Sequence, residues 1–187
     1  MRIISGQYKG RNLQGKIPKN VRPTTDFARE SLFDILNSMI DIEDKSVLDL
    51  FSGAGAIGLE ALSRGAEKIY FVDNSIDSIN LLKKNIENLL ISKDKYVIIK
   101  SDAIEYISNI SIFEKFDIIF ADPPYNQSYL WTICEAVEKK SILNENGIII
   151  YETDTKRREI IHPHFEVRKE KTSGNAKFYF IQLKQLQ

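Results

Sequence analysis

The sequence predicts an α/β protein centred on a seven-stranded sheet: five parallel-type strands, then a C-terminal antiparallel hairpin, with a small N-terminal β-hairpin extension in front. Three observations predict it. Short, continuous apolar runs alternate with segments of helical period, the pattern of parallel strands buried on both faces. The last two runs, "HFEVRKEK" and "AKFYFIQL", are joined by "TSGN" with no helix between them, so they pair antiparallel at one sheet edge. Glycines and acids fall just after the strand runs, where open α/β sheets hold their ligands.

Taken in order, "RIIS" and "RNLQ" flank "GQYKG" and form the N-terminal hairpin, with glycines at its turn. "KIPKNVRPTTD" is a polar linker that ends in helix-starting Thr and Asp. In "FARESLFDILNSMI", Leu32, Ile35, Leu36, Met39 and Ile40 recur at helical spacing and make an amphipathic helix. The parallel strand runs are 46–51, 68–73, 96–100, 116–121 and 147–152, and helices are expected over 57–63, 75–90, 103–107 and 129–139. The length of 187 residues suits one domain with an appendage: a basic arm and linker over 1–22 and the main domain over 23–187.

At 43% hydrophobic and 28% charged residues the chain has globular composition. No apolar run approaches the roughly 18 residues of a membrane helix, and "MRIISGQYKG" lacks a signal-peptide core, so the cytoplasm is expected and no membrane partner. The single Cys134 excludes an internal disulfide and a cysteine-based metal cluster, and no metal is expected. The net charge of zero hides a segregation: residues 1–22 carry +6, residues 155–177 carry +4 and the remainder −10. Basic ends around an acidic middle suit a polyanionic partner, with Arg2, Lys9 and Arg11 as candidate contacts. The absence of a long exposed apolar run favours a monomer.

The first strand leads into "DLFSGAGAIGLEAL", in which Gly53, Gly55 and Gly58 permit a tight turn and a close approach of backbone to ligand at a helix N-terminus. This glycine pattern alone is shared with nicotinamide and flavin enzymes. The second strand ends at Asp73, twenty residues after Gly53, where a carboxylate can accept from both hydroxyls of a ribose. That supports an adenosine-containing cofactor without choosing among them. Asp102, after the third strand, is placed to accept from an adenine amino group, and a helix cap is the competing reading.

The fourth strand ends in "DPPY". Pro123 and Pro124 fix their own φ, hold the preceding residues extended and offer no N–H. What remains is the Asp122 carboxylate, the Pro123 carbonyl and the Tyr125 ring: two acceptors and an aromatic platform. An exocyclic amine on a nucleobase needs this set, because its lone pair is delocalised into the ring. Two acceptors can hold its hydrogens and turn the nitrogen lone pair towards an electrophile, while Tyr125 stacks the base. The matching electrophile is the methyl sulfonium of S-adenosylmethionine, approached from the glycine-loop side.

The glycine loop, the acid ending strand two and "DPPY" resemble class I S-adenosylmethionine-dependent amino-methyltransferases. "MRIISGQYKGRNL", "RPTTDFARESLFDIL" and "LDLFSGAGAIGLEALSRGA" extend the likeness to nearly the whole chain and to the bacterial 16S rRNA (guanine(966)-N2)-methyltransferase family. The resemblance implies a Rossmann-like methyltransferase sheet and methyl transfer to the 2-amino group of one guanine, with 16S rRNA in the small ribosomal subunit or its assembly intermediate as partner. It also implies that Asp122, Pro123 and Tyr125 form the base pocket and that Gly53, Gly55, Asp73 and Asp102 hold the cofactor, with Asp49 beneath the loop. Arg22, Thr24 and Thr25 would close the site from the N-terminal side.

Two departures from the family pattern stand out. Ser173 precedes Gly174 where an aromatic residue is expected, and Asp73 replaces a more usual Glu. Rival activities fit less well. A nicotinamide dehydrogenase leaves "DPPY" unexplained, and the histidines His162 and His164 read as surface residues late in the chain. Cytosine C5 methylation needs a cysteine nucleophile beside the site, and Cys134 falls on a predicted helix. Transfer to adenine N6 or to a protein glutamine amide poses the same acceptor problem and is the alternative reading.

Overall fold

The computed structural model describes residues 1–15, 26–124 and 128–185. Its elements are α1 (Asp26–Asn37), β1 (Ser46–Leu50), α2 (Ala56–Ser63), β2 (Lys68–Asp73), α3 (Ile76–Leu89), β3 (Tyr96–Lys100), α4 (Ala103–Asn109), β4 (Phe116–Ala121), α5 (Leu130–Lys140), β5 (Leu143–Asp154), β6 (Phe165–Ser173) and β7 (Ala176–Leu183). They form one seven-stranded sheet in the order β3-β2-β1-β4-β5-β7-β6. The first five strands pair in parallel and β7 runs antiparallel to both β5 and β6. This is the seven-stranded sheet that the sequence pattern predicts, and the class I methyltransferase sheet that the resemblance implies.

Alternate residues of each central strand enter opposite cores, as the period of two requires. Val47, Phe71, Ile118, Phe120 and Ile150 pack under α1, α2 and α3, whereas Leu48, Val72, Ile119 and Ile149 pack under α4 and α5. Covering both faces explains why the strands read as continuous apolar runs. β5 begins at Leu143 rather than at Gly147, because Leu143 pairs with Phe116 before the register shifts and resumes at Ile148 with Ile118. His162 is also not at the surface: it is 8% exposed, with the Trp131 and Phe165 rings against it.

The N-terminal hairpin is reduced to one bridge, Arg2 with Asn12, flanked by the Ile3 N–H to Arg11 carbonyl bond at 2.9 Å. Its backbone is used elsewhere. The Ile4 and Ser5 N–H groups donate to Glu60 at 2.7 and 3.0 Å, and that fully buried carboxylate also accepts from Arg64 Nε at 2.8 Å. Tyr8 N–H donates to Ser63 Oγ at 2.9 Å. Gly6 takes φ +78, and a Cβ there would stand 1.6 Å from the Ser63 carbonyl oxygen, so the turn requires glycine. Ile3 and Leu13 enter the core beneath.

Glu60 thus fastens the arm along α2. Glu60→Ala is expected to destabilise the protein by about 3 to 5 kcal/mol, because it strands the largely buried Arg64 and two backbone donors. Urea unfolding checks the loss, and hydrogen exchange at Ile4 and Ser5 checks that the arm has detached.

Candidate active site

The strand order reverses between β1 and β4, so the crossover connections diverge there and leave a crevice beyond the carboxyl ends of the strands. Four acids approach that edge: Asp49 in β1, Asp73 at the end of β2, Asp122 just after β4 and Glu152 in β5. Their charges act on one another across these four strands, Asp73 on Asp49 and both Asp49 and Glu152 on Asp122.

Asp49 is 4% exposed, and its Oδ2 accepts the Gly58 N–H at 3.0 Å, capping the first turn of α2 from beneath. Burial pushes its carboxyl up to about 7; the Gly58 bond opposes the rise and the Asp73 charge adds to it. Asp73 is fixed through both oxygens: Oδ2 accepts the Gly53 N–H and Oδ1 the Ser75 N–H, each at 2.8 Å. Each oxygen keeps a second lone pair.

The three loop glycines divide their work. Gly53, at φ +53, has open space where a side chain would project. At Gly55 and Gly58 the space where a side chain would project is filled by protein. A Cβ on Gly55 would meet Leu82 Cδ1 at 2.4 Å, and one on Gly58 would meet Phe71 Cε1 at 2.3 Å. These two let α2 pack against α3 and β2, while φ +83 at Gly55 starts the helix and its N–H returns to Ser52 O at 2.7 Å. Asp102 is a helix cap, with Oδ1 accepting from Ile104 and Glu105 at 2.9 and 3.0 Å. It is exposed, and among the described residues nothing donates to its Oδ2.

At the β4 corner Pro123 is buried and Pro124 exposed. Asp122 is exposed at its surface, while the protein packed around it still desolvates its carboxylate. That crowding first, then the Glu152 and Asp49 charges, hold its carboxyl well above the ordinary carboxylate range. Beyond the corner the chain is pinned again: Tyr129 N–H donates to Tyr151 Oη at 3.0 Å, and the Ser128 hydroxyl bonds Glu159. Tyr125 lies outside the described residues, as do Arg22, Thr24 and Thr25.

Sequence reasoning missed two contributors. Glu152 is 5% exposed and ends the apolar run "GIIIYE"; a lone acid at the carboxyl end of a fifth strand, aligned with those after the other four, was the available signal. Phe51 follows β1 with φ +62, a left-handed conformation costing roughly 1 to 3 kcal/mol for a bulky residue, and its ring stands 5.7 Å from that of Tyr129. No composition signal marks such an outlier.

The basic candidates are spread. Arg2 pairs with Asp26 at 3.1 Å, Arg11 donates to the Asn88 carbonyl at 2.6 Å, and Lys9 sits near the hairpin tip beside the C-terminal end of α2, away from the acid-lined edge. The arm's other end comes nearer the crevice, since Asn85 bonds both Gln14 and the Ala54 carbonyl of the glycine loop. In the C-terminal basic stretch, Lys169 and Lys171 decorate edge strand β6, where lysines blunt an open edge. The β6–β7 turn, Ser173 and Gly174 included, stands at the acid-lined edge, because Ala176 pairs with Asp154 at the end of β5.

A cleft of carboxylates with an open glycine turn suits a ligand that carries positive charge and a diol. S-adenosylmethionine has a sulfonium, an ammonium and a ribose, so the residues present fit it. Among the described residues no helix is long and apolar enough to cross a membrane.

Comparison with known proteins agrees. The family model described as conserved hypothetical protein 95 matches residues 1–182. Ribosomal RNA small subunit methyltransferase D of Haemophilus influenzae is 31% identical over 182 residues, covering 97% of this chain and 93% of that protein. The protein of the same name from Buchnera aphidicola is 33% identical over 177 residues, covering 95% and 90%. The solved structure of Escherichia coli yhhF superposes with a TM-score of 0.84 at 28% identity, over 100% of this chain and 99% of that one. With the sheet order, the acids at the carboxyl edge of the parallel strands and a match spanning almost its whole length, this chain belongs to the conserved hypothetical protein 95 family of S-adenosylmethionine-dependent methyltransferases.

Proposed function

We propose that the protein methylates the exocyclic N2 amino group of one guanine in 16S rRNA, taking the small ribosomal subunit or its assembly intermediate as substrate. The observation that carries this reading is the Asp122 corner: a carboxylate beside two prolines, in the same cleft as Asp49 and Asp73. The names of the relatives, which act on small-subunit rRNA, support the choice of polymer.

Asp73 would bind the ribose through its remaining lone pairs, and Gly53 would let the backbone approach the cofactor. Asp102 would offer Oδ2 to the adenine amine. Asp49 sets a negative charge beneath the loop. S-adenosylmethionine supplies a methyl group on a cationic sulfur. The target amine would donate its two hydrogens to Asp122 and to the Pro123 carbonyl, which turns its lone pair towards that methyl; its surplus proton leaves to Asp122 or to water. Tyr125 would stack the base, and Arg22, Thr24 and Thr25 would cover the site. Arg2, Lys9 and Arg11 would meet phosphates along the arm.

The test incubates the protein with radiolabelled S-adenosylmethionine and, in parallel, unmethylated small subunits, naked 16S rRNA and a release-factor protein, then identifies the modified nucleoside by mass. N2-methylguanosine is the expected product, made from subunits in preference to naked RNA. N6-methyladenosine, or label in protein alone, overturns the substrate assignment and leaves the methyltransferase family standing.

A further inference from the structure

We propose that Glu138, His162 and His164 form a binding site for one divalent transition-metal ion of the zinc class, at the sheet edge opposite the acid-lined cleft. Glu138 lies in the last turn of α5, and the two histidines lie just before β6. β6 runs parallel to β5, since both are antiparallel to β7, so its start stands at the amino edge of the sheet.

Local sequence brings the ligands together. In "HPHF" the Phe165 N–H donates to the His162 carbonyl at 2.9 Å, closing a turn with Pro163 at the position its fixed φ favours. The turn brings the two imidazoles to 5.4 Å between centroids. Glu138 spans both: its Oε2 is 3.6 Å from His162 Nδ1, and its Oε1 hydrogen bonds His164 Nδ1. All three ligand atoms lie within 4.8 Å of one another. Two donors bound about 2.1 Å from a tetrahedral ion stand about 3.4 Å apart, so small side-chain rotations complete the geometry.

His162 is the independent observation that points to a ligand. It is 8% exposed, held by the Trp131 ring at 4.8 Å and the Phe165 ring at 5.8 Å, yet its buried Nδ1 has no hydrogen-bond partner among the described residues. A buried ring nitrogen left unpaired is unfavourable, and here it is turned towards the Glu138 carboxylate at a distance too long for a hydrogen bond. A cation between them would satisfy both. Two imidazoles and one carboxylate, with a fourth position open to water, select zinc-like ions over magnesium or calcium, which take mostly oxygen ligands. Bound there, the ion would clip α5 to the segment that leads into β6, stabilising the fold without entering the methyl-transfer chemistry.

Trp131 is the only tryptophan, so its fluorescence reports this site. Equilibrium dialysis of the full chain against zinc chloride is expected to give one ion per chain, and cobalt(II) is expected to quench Trp131 with the same stoichiometry. Glu138→Gln and His164→Ala, at half-exposed and exposed positions, should keep the fold and weaken both signals by more than about tenfold. Zinc should raise the melting temperature of the wild type and not of the variants. The absence of a saturable site, or binding unchanged in both variants while circular dichroism shows them folded, overturns the proposal.

Discussion

Asp122→Asn is expected to lower the rate of methyl transfer by about 10²- to 10⁴-fold while leaving cofactor affinity within a few fold. Asparagine keeps the volume but puts an NH₂ donor where the substrate amine must be accepted. In the wild type the acid limb of kcat/KM should lie above the ordinary carboxylate range, because crowding and the Glu152 and Asp49 charges favour protonated Asp122, which cannot accept through both oxygens. The sign follows directly: activity rises with pH as Asp122 ionises and levels off above its pKa. Glu152→Gln removes one of the negative neighbours and should move that limb to lower pH. Stopped-time methylation assays from pH 5 to 9, with cofactor titrations, measure both effects. Equal loss of cofactor affinity and turnover in Asp122→Asn would place Asp122 on the cofactor instead. An acid limb unmoved by Glu152→Gln would assign it to another group.

The fold was legible because parallel strands buried on both faces must be apolar throughout, and each of the five parallel runs became a strand. The acids at strand ends were legible for a related reason: a charge that closes an apolar run stands where the sheet stops and the cleft begins. Glu152 escaped notice because it was read as the end of a strand, and only the sheet order shows that β5 lies next to β4. The glycine loop was legible as a motif but not in its division of labour. Whether a missing Cβ makes room for ligand or for Leu82 and Phe71 depends on packing partners far apart in sequence. The Glu60 anchor was likewise hidden, since a glutamate in a short helix reads as a solvated charge until the arm folds over it.

Asp49→Asn is expected to make the protein more stable and less active, and the two effects share one cause. Burial holds the folded Asp49 carboxyl near 7, against an ordinary value of 3.8, so the folded state binds the proton more tightly than the unfolded chain. The contribution of Asp49 to stability is therefore greatest at low pH and falls as pH rises from about 4 through 7, by an amount on the order of 4 kcal/mol if the whole shift is realised. Asparagine still accepts the Gly58 N–H through its oxygen and carries no charge to bury. At pH 8 the variant should be more stable by roughly 2 to 4 kcal/mol, a rise of about 5 to 15 °C in Tm for a chain of this size, with the gap closing towards pH 4. Urea unfolding at pH 5 and pH 8 resolves it. In the proposed function, the sulfonium above the loop would offset the cost of that buried charge. The same substitution should weaken binding of S-adenosylmethionine more than that of its uncharged-sulfur product. Lower stability at pH 8 would mean that the ionised Asp49 is held by more than the Gly58 bond. Equal weakening of both ligands would mean that the carboxylate shapes the glycine loop without acting on the sulfonium.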